Sequence, residues 1–136
     1  MNSMESVVHF EMPAKDNARA TKFYSTVFGW KMQQLGKEMG EYVLAMTAES
    51  DKNGPKTPGR INGGFFPAKK DNPLQHPSLV IAVKDLNSAI KKIEKEGGKV
   101  LGKPMDIPNI GCYVSFEDTE GNRNSIIQPP KEMWRE

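Results

Sequence analysis

The chain has 136 residues, 37% of them hydrophobic and 26% charged, and a formal net charge of +2. That is the size and composition of one soluble domain, and both signs of charge are spread along it with no basic stripe among aromatics, which argues against nucleic acid and membrane surfaces as partners. The single cysteine, Cys112, excludes an intrachain disulfide and multi-cysteine zinc patterns; with no signal-peptide core and no apolar run of membrane-spanning length, a cytoplasmic setting is the reading.

Residues 7 to 30, VVHFEMPAKDNARATKFYSTVFGW, carry the densest pattern: a strand, a capped helix and a glycine stop. Val8, Phe10 and Met12 alternate with His9 and Glu11, so the two ionisable residues share the face opposite the apolar one. Asp16 or Asn17 caps the first helical turn, and Ala20, Phe23, Tyr24, Val27 and Phe28 recur at helical spacing, which predicts a helix lying on the apolar face of the strand. Gly29 is placed to end it in a left-handed conformation.

Trp30 to Leu35 and Glu41 to Thr47 read as strands, with Gly36 and Gly40 marking a hairpin between them. Residues 48–60 lose all periodicity and form an exposed loop. In the next strand, Ile61 to Phe66 (INGGFF), the glycines mark either a bulge or a close approach to the backbone; only one of Phe65 and Phe66 can face inward, the other packing under the helix. A linker of about 69–77 then separates a first module, about 5–68, from a second, about 78–130, followed by a tail at 131–136.

The second module repeats the first. Ser78 to Val83 is a strand, Asp85 caps a helix carrying Leu86, Ala89, Ile90 and Ile93, and Gly97-Gly98 stops it. A shift of 69 carries His9 onto Ser78, Asp16 onto Asp85, Ala20 onto Ala89 and Gly29 onto Gly98. A weak strand at Lys99 to Lys103 precedes two clear ones, Gly111 to Glu117 and Arg123 to Gln128, around a turn at Asp118 to Gly121. The fold class is α+β: two tandem β-α-β-β-β modules in a single domain, forming a curled mixed sheet, a cup with its helices on the convex side.

On VVHFEMPAKDNARATKFYSTVFGW, SLVIAVKDLNSAIKKIEKEGGKV and FEDTEGNRNSIIQ, taken in that order and spacing, the chain resembles the vicinal oxygen chelate family of glyoxalases, bleomycin-resistance proteins and extradiol dioxygenases. In metal-dependent members the resemblance implies a divalent ion held by the first and last strand of each module. Carried over by position, the ligand places fall on His9, on Asn62 or a neighbouring glycine, on Ser78 and on Ser125. Three of these offer only neutral oxygens, which are weak ligands for transition metals.

The reading is therefore a glyoxalase- or bleomycin-resistance-like protein that binds a small organic molecule in the cup without the full metal-ligand set. The alternative is a metal-dependent lyase, isomerase or dioxygenase of glyoxalase type using His9 as ligand or base. His9 and Glu11 are the candidate catalytic pair; Asn62, Gly64, Phe66, Ser78, Tyr113 and Ser125 are the candidate ligand contacts. No cofactor is favoured, a divalent metal on His9 being the alternative, and the partners are a small molecule and a second copy of the chain. His76 shares the strand parity of Ser78 but lies in the linker, and is read as exposed. Cys112 is a structural thiol, Asp118, Glu120, Gly121 and Asn122 form a turn, and Trp134 in the tail packs, with a second subunit as one place for it.

Overall fold

The computed structural model describes residues 4–72 and 75–130. The tail at 131–136, including Trp134, lies outside them. The chain divides into two compact units, His9–Pro77 and a second made of the residues up to Val8 together with those from Ser78 on.

In the first unit, β1 (Val7–Ala14) leads into α1 (Asn17–Phe28), then β2 (Lys31–Gln34), β3 (Val43–Met46), the short β4 (Ser50–Asp51) and β5 (Gly54–Pro55), and β6 (Asn62–Pro67). From His9 to Ala14, β1 runs parallel to β6; β3 is antiparallel to both β6 and β2. Asp16, not Asn17, caps α1, its carboxylate accepting from the Arg19 amide at 3.0 Å, and Gly29 closes the helix at φ 74°. Between β2 and β3 a single 3-10 turn, Lys37–Met39, makes the hairpin.

The second unit repeats the scheme: β7 (Ser78–Ala82), α2 (Leu86–Lys95), β8 (Lys99–Ile107), β9 (Gly111–Glu117) and β10 (Arg123–Gln128). Again the first strand pairs in parallel with the last, β7 with β10, while β10–β9 and β9–β8 are antiparallel. Asp85 caps α2 by accepting from the Ser88 amide at 3.0 Å. The segment before β1 belongs here: the Ala82 amide donates to the Ser6 carbonyl at 3.0 Å.

Each helix covers one face of the strands of its own unit, the main strands of both units belonging to one eight-stranded mixed sheet. In the first unit Ala14, Val43, Ala45 and Phe65 form the core, with Phe10, Met12, Ala20, Tyr24, Trp30 and Met32 packed around it. In the second, Val83, Leu86, Val114, Phe116 and Ile126 do so, with Cys112 among the half-buried residues against them. Phe65, as one of the two arrangements required, packs under the helix, which turns Phe66 to the other face. No helix among the described residues is long and apolar enough to cross a membrane.

Three local expectations change. The apolar stripe of α1 is only partly covered: Ala20 and Tyr24 reach the core, while Phe23, Val27 and Phe28 remain more than half exposed. The stripe is wider than the core surface that Ala20 and Tyr24 cover, so the residues flanking Tyr24 overhang. The strand expected to be weak, at 99–103, is the long β8, which passes through Pro104 because its pairing slips between Leu101 and Met105. Gly102, at φ +82°, permits that slip. Finally, the loop at 48–60 contains the small β4–β5 pair.

Candidate functional site

Alternation along each strand sorts the polar residues onto the sheet faces that the helices leave. In the first unit Phe10, Met12 and Ala14 enter the core, so His9 and Glu11 occupy the opposite face, as their spacing required. Register sets His9 beside Asn62 and Glu11 beside Gly64.

His9 is half-buried and its Nε2 lies 3.0 Å from the Tyr42 hydroxyl. The two rings are stacked, centroids 6.4 Å apart and 22° between planes, and the Phe10 ring lies 6.3 Å from that of His9. Burial holds the imidazole below its ordinary pKa, against the pull of the Glu11 charge, so the ring is neutral at pH 7. Glu11 itself is buried.

The glycine pair of INGGFF is not a bulge, since β6 pairs with β1 without interruption from Asn62 to Pro67. Both glycines are instead roofed by rings. A Cβ on Gly63 would stand 2.4 Å from the Phe10 ring, and one on Gly64 would stand 2.0 Å from Cε2 of Tyr42. Tyr42, on the helix-free face because Val43 enters the core, thus lies on bare backbone and meets His9.

Asn62, which with its neighbouring glycines is the other place in this unit where the resemblance puts a metal ligand, has a different occupation. Its Oδ1 accepts from the Thr47 amide at 2.9 Å and its Nδ2 donates to Ser50 Oγ at 2.9 Å. With the Thr47 hydroxyl donating to the Ile61 carbonyl at 2.6 Å, these bonds clasp the base of the 48–60 loop.

In the second unit Val114, Phe116 and Ile126 enter the core, leaving Tyr113, Ser115, Arg123 and Ser125 on the other face. Ser125 is wholly buried, with Tyr113 Oη at 2.7 Å and Ser115 Oγ at 3.0 Å from its own Oγ. Arg123 donates from Nη1 to Ser78 Oγ at 3.1 Å and from Nη2 to Ser115 Oγ at 2.9 Å. Ser78, Tyr113 and Ser125, three of the predicted contacts, are therefore brought into one hydrogen-bonded group.

Three members of these groups, Tyr42, Ser115 and Arg123, are absent from the sequence-derived set. Parity alone marks Arg123, which stands two residues before Ser125 on the same strand. Tyr42 was signalled by Gly64, because a glycine inside a regular strand asks what occupies the space above it.

These residues do not suit a chelated transition metal. Ser78 accepts from a guanidinium, a permanent cation that repels another; Ser125 is enclosed among hydroxyls; Asn62 is committed to the loop; and the His9 nitrogen that would face an ion meets a phenol. Among the described residues no three of His, Cys, Asp and Glu converge in a group able to hold an ion. His76 is exposed. Asp118 accepts from the amides of Glu120 and Asn122 and from the Asn122 side chain; these bonds, those from Asn122 foremost, pull its pKa down and identify the segment as a turn.

A separate groove of about 580 Å³ opens beside the first turn of α1, lined by Asp16, Asn17, Gln34, Gly36 and Lys37 among others. Asn17 Nδ2 ties it together by donating to the Gln34 side chain and to the Glu41 carbonyl. None of the predicted site residues lines it.

Comparison with known proteins agrees with the architecture. A glyoxylase-like domain-containing protein from Didymella fabae is 34% identical over 125 residues, covering 88% of this chain and 91% of that protein. Methylmalonyl-CoA epimerase from Mycobacterium tuberculosis has a similar structure, with a TM-score of 0.67 at 13% identity over 98% of this chain and 95% of that one. A variant of the Streptomyces coelicolor methylmalonyl-CoA epimerase in complex with 2-nitronate-propionyl-CoA gives 0.68 at 15% identity, covering 95% and 97%. At such identities the two structures share the fold. The family model described as Glyoxalase/Bleomycin resistance protein/Dioxygenase superfamily matches residues 6–126, and the chain belongs to that family.

Proposed function

We propose that this protein binds a small organic molecule on the helix-free faces of its sheets without the metal-ligand set of metal-dependent relatives. The observation that carries the reading is the Arg123 guanidinium donating to Ser78 Oγ, which sets a fixed positive charge against a position that a chelate would need to fill with an anionic or nitrogen donor. Of the contacts expected from the sequence, His9 and Phe66 in the first unit and Ser78 and Tyr113 in the second carry the proposal, since Tyr42 covers Gly64, Asn62 holds the 48–60 loop and Ser125 is enclosed among hydroxyls. Enzymatic turnover with His9 as base and Glu11 beside it is the second reading, supported by the neutral, half-buried imidazole. A homodimer belongs to the same proposal, supported by the exposed Phe23, Val27 and Phe28, and sedimentation velocity reads it.

The test has two arms. Dialysis against Ni²⁺, Zn²⁺, Fe²⁺ and Mn²⁺, followed by metal analysis of wild type and His9→Ala, is expected to find no stoichiometric ion in either. Stoichiometric metal in wild type, lost on the substitution, overturns the proposal in favour of a metal-dependent lyase, isomerase or dioxygenase. The second arm is a thermal-shift screen of acyl-CoA thioesters, suggested by the epimerase complex, together with aromatic small molecules. A ligand that raises the melting temperature of wild type and fails to do so in Ser78→Ala or Tyr113→Phe supports the contact set.

A further inference from the structure

The resemblance gives His9 as a metal-ligand place. Here its Nε2 has a partner supplied by the chain itself, and three features of the first unit support it. The Tyr42 hydroxyl is 3.0 Å from His9 Nε2. Its ring lies so close to β6 that only glycine fits beneath it: a Cβ at residue 64 would be 2.0 Å from Cε2 and 2.3 Å from both Cζ and the hydroxyl oxygen. The unit's other candidate ligand, Asn62, uses its oxygen and its nitrogen to hold Thr47 and Ser50. A ring that needs a residue without a side chain beneath it, and then brings its one polar atom to a histidine nitrogen, is a placed group rather than a surface tyrosine.

We propose that Tyr42, seated on Gly64, takes the place of the metal at His9 and fixes the imidazole as a metal-independent polar anchor for the ligand. The phenol donates to Nε2, so the ring proton resides on Nδ1 and the neutral imidazole is held in one tautomer. Tyr42 is then a positioning residue for His9. The inference rests on the metal-independent reading but is tested without any ligand.

The test is nitrogen-15 NMR of histidine-labelled, metal-free protein at pH 8, in a His76→Gln background that leaves His9 as the only signal. Wild type is expected to show Nδ1 protonated and Nε2 as the bare, hydrogen-bonded nitrogen. Tyr42→Phe keeps the ring and removes the donor, and one net hydrogen bond of about 1 kcal/mol corresponds to a loss of about fivefold in the tautomer ratio. Gly64→Ala, which displaces the ring without deleting the hydroxyl, is expected to give the same spectral change. A merely packing role for Tyr42 leaves the Tyr42→Phe spectrum like wild type, and that outcome overturns the inference, as does a wild-type spectrum with Nε2 protonated. The metal-free reading fails differently, by stoichiometric metal in the dialysis experiment.

Discussion

Replacing Gly64 by alanine is a one-carbon change whose cost can be worked from the structure. The new Cβ would stand 2.0 Å from Cε2 of Tyr42, whereas carbon atoms need about 3.5–4 Å, so the ring must retreat by about 1.5–2 Å. Overpacking of this kind costs about 1–3 kcal/mol, and the retreat breaks the bond to His9, worth about 1 kcal/mol net. Against this, alanine narrows the unfolded ensemble and returns about 0.4–1 kcal/mol, since residue 64 is not held in the left-handed region. The net destabilisation is about 2 kcal/mol, read as a lower urea midpoint by circular dichroism with the slope unchanged. The control is the same substitution in a Tyr42→Ala background, where nothing remains above the strand to collide with and Gly64→Ala becomes neutral or slightly stabilising. An equal cost in the two backgrounds would refute the steric argument and with it the placement of Tyr42.

Two further outcomes follow from charge and capping. Burial keeps the His9 pKa in the folded protein below its unfolded value, so the stability it carries is complete above about pH 6.5 and is lost as pH falls from there through the folded value; His9→Gln should flatten the dependence of the urea midpoint on pH in that window, and an unchanged slope would contradict it. Asp85→Ala removes the acceptor for the Ser88 amide and should cost about 1 kcal/mol of stability at pH 7, with Asp16→Ala costing a similar amount in the other unit; two unaffected midpoints would show that these caps are bystanders.

Much of the fold could be read from local chemistry. Strand, cap, helix and stop are each specified within a dozen residues: Asp16 and Asp85 cap, Gly29 stops, and the alternation around His9 sets its face, so both modules and the shared face of His9 and Glu11 emerge from the sequence. What local pattern cannot supply is which strand lies beside which. The Tyr42–His9 bond depends on β3 pairing with β6 and β6 with β1, and the hydroxyl group around Arg123 depends on β10 lying between β7 and β9. Local pattern therefore singles out neither Tyr42 nor Arg123. The exposed side of α1 was missed for a related reason, because periodicity reports how wide an apolar stripe is and says nothing of how much surface is available to cover it. Pro104 within β8 similarly looks like a terminator until the slipped pairing between Leu101 and Met105 provides for it.

The grouping of the first residues with the second unit bears on the order in which the chain can assemble during synthesis. Ser6 accepts from the amide of Ala82, and Glu5 accepts from that of Lys84, so these residues wait for partners made much later in the chain. The strand continues without a break from Val8 into His9, yet the division between units falls at that bond. Cutting the gene at the linker would therefore not yield two complete halves. A fragment beginning at Ser78 lacks its N-terminal segment, while the complementary fragment carries that segment with nothing of its own unit to hold it. The internal repeat is plain in the sequence, but the chain has interlaced its two copies so that neither is a self-sufficient piece of polypeptide.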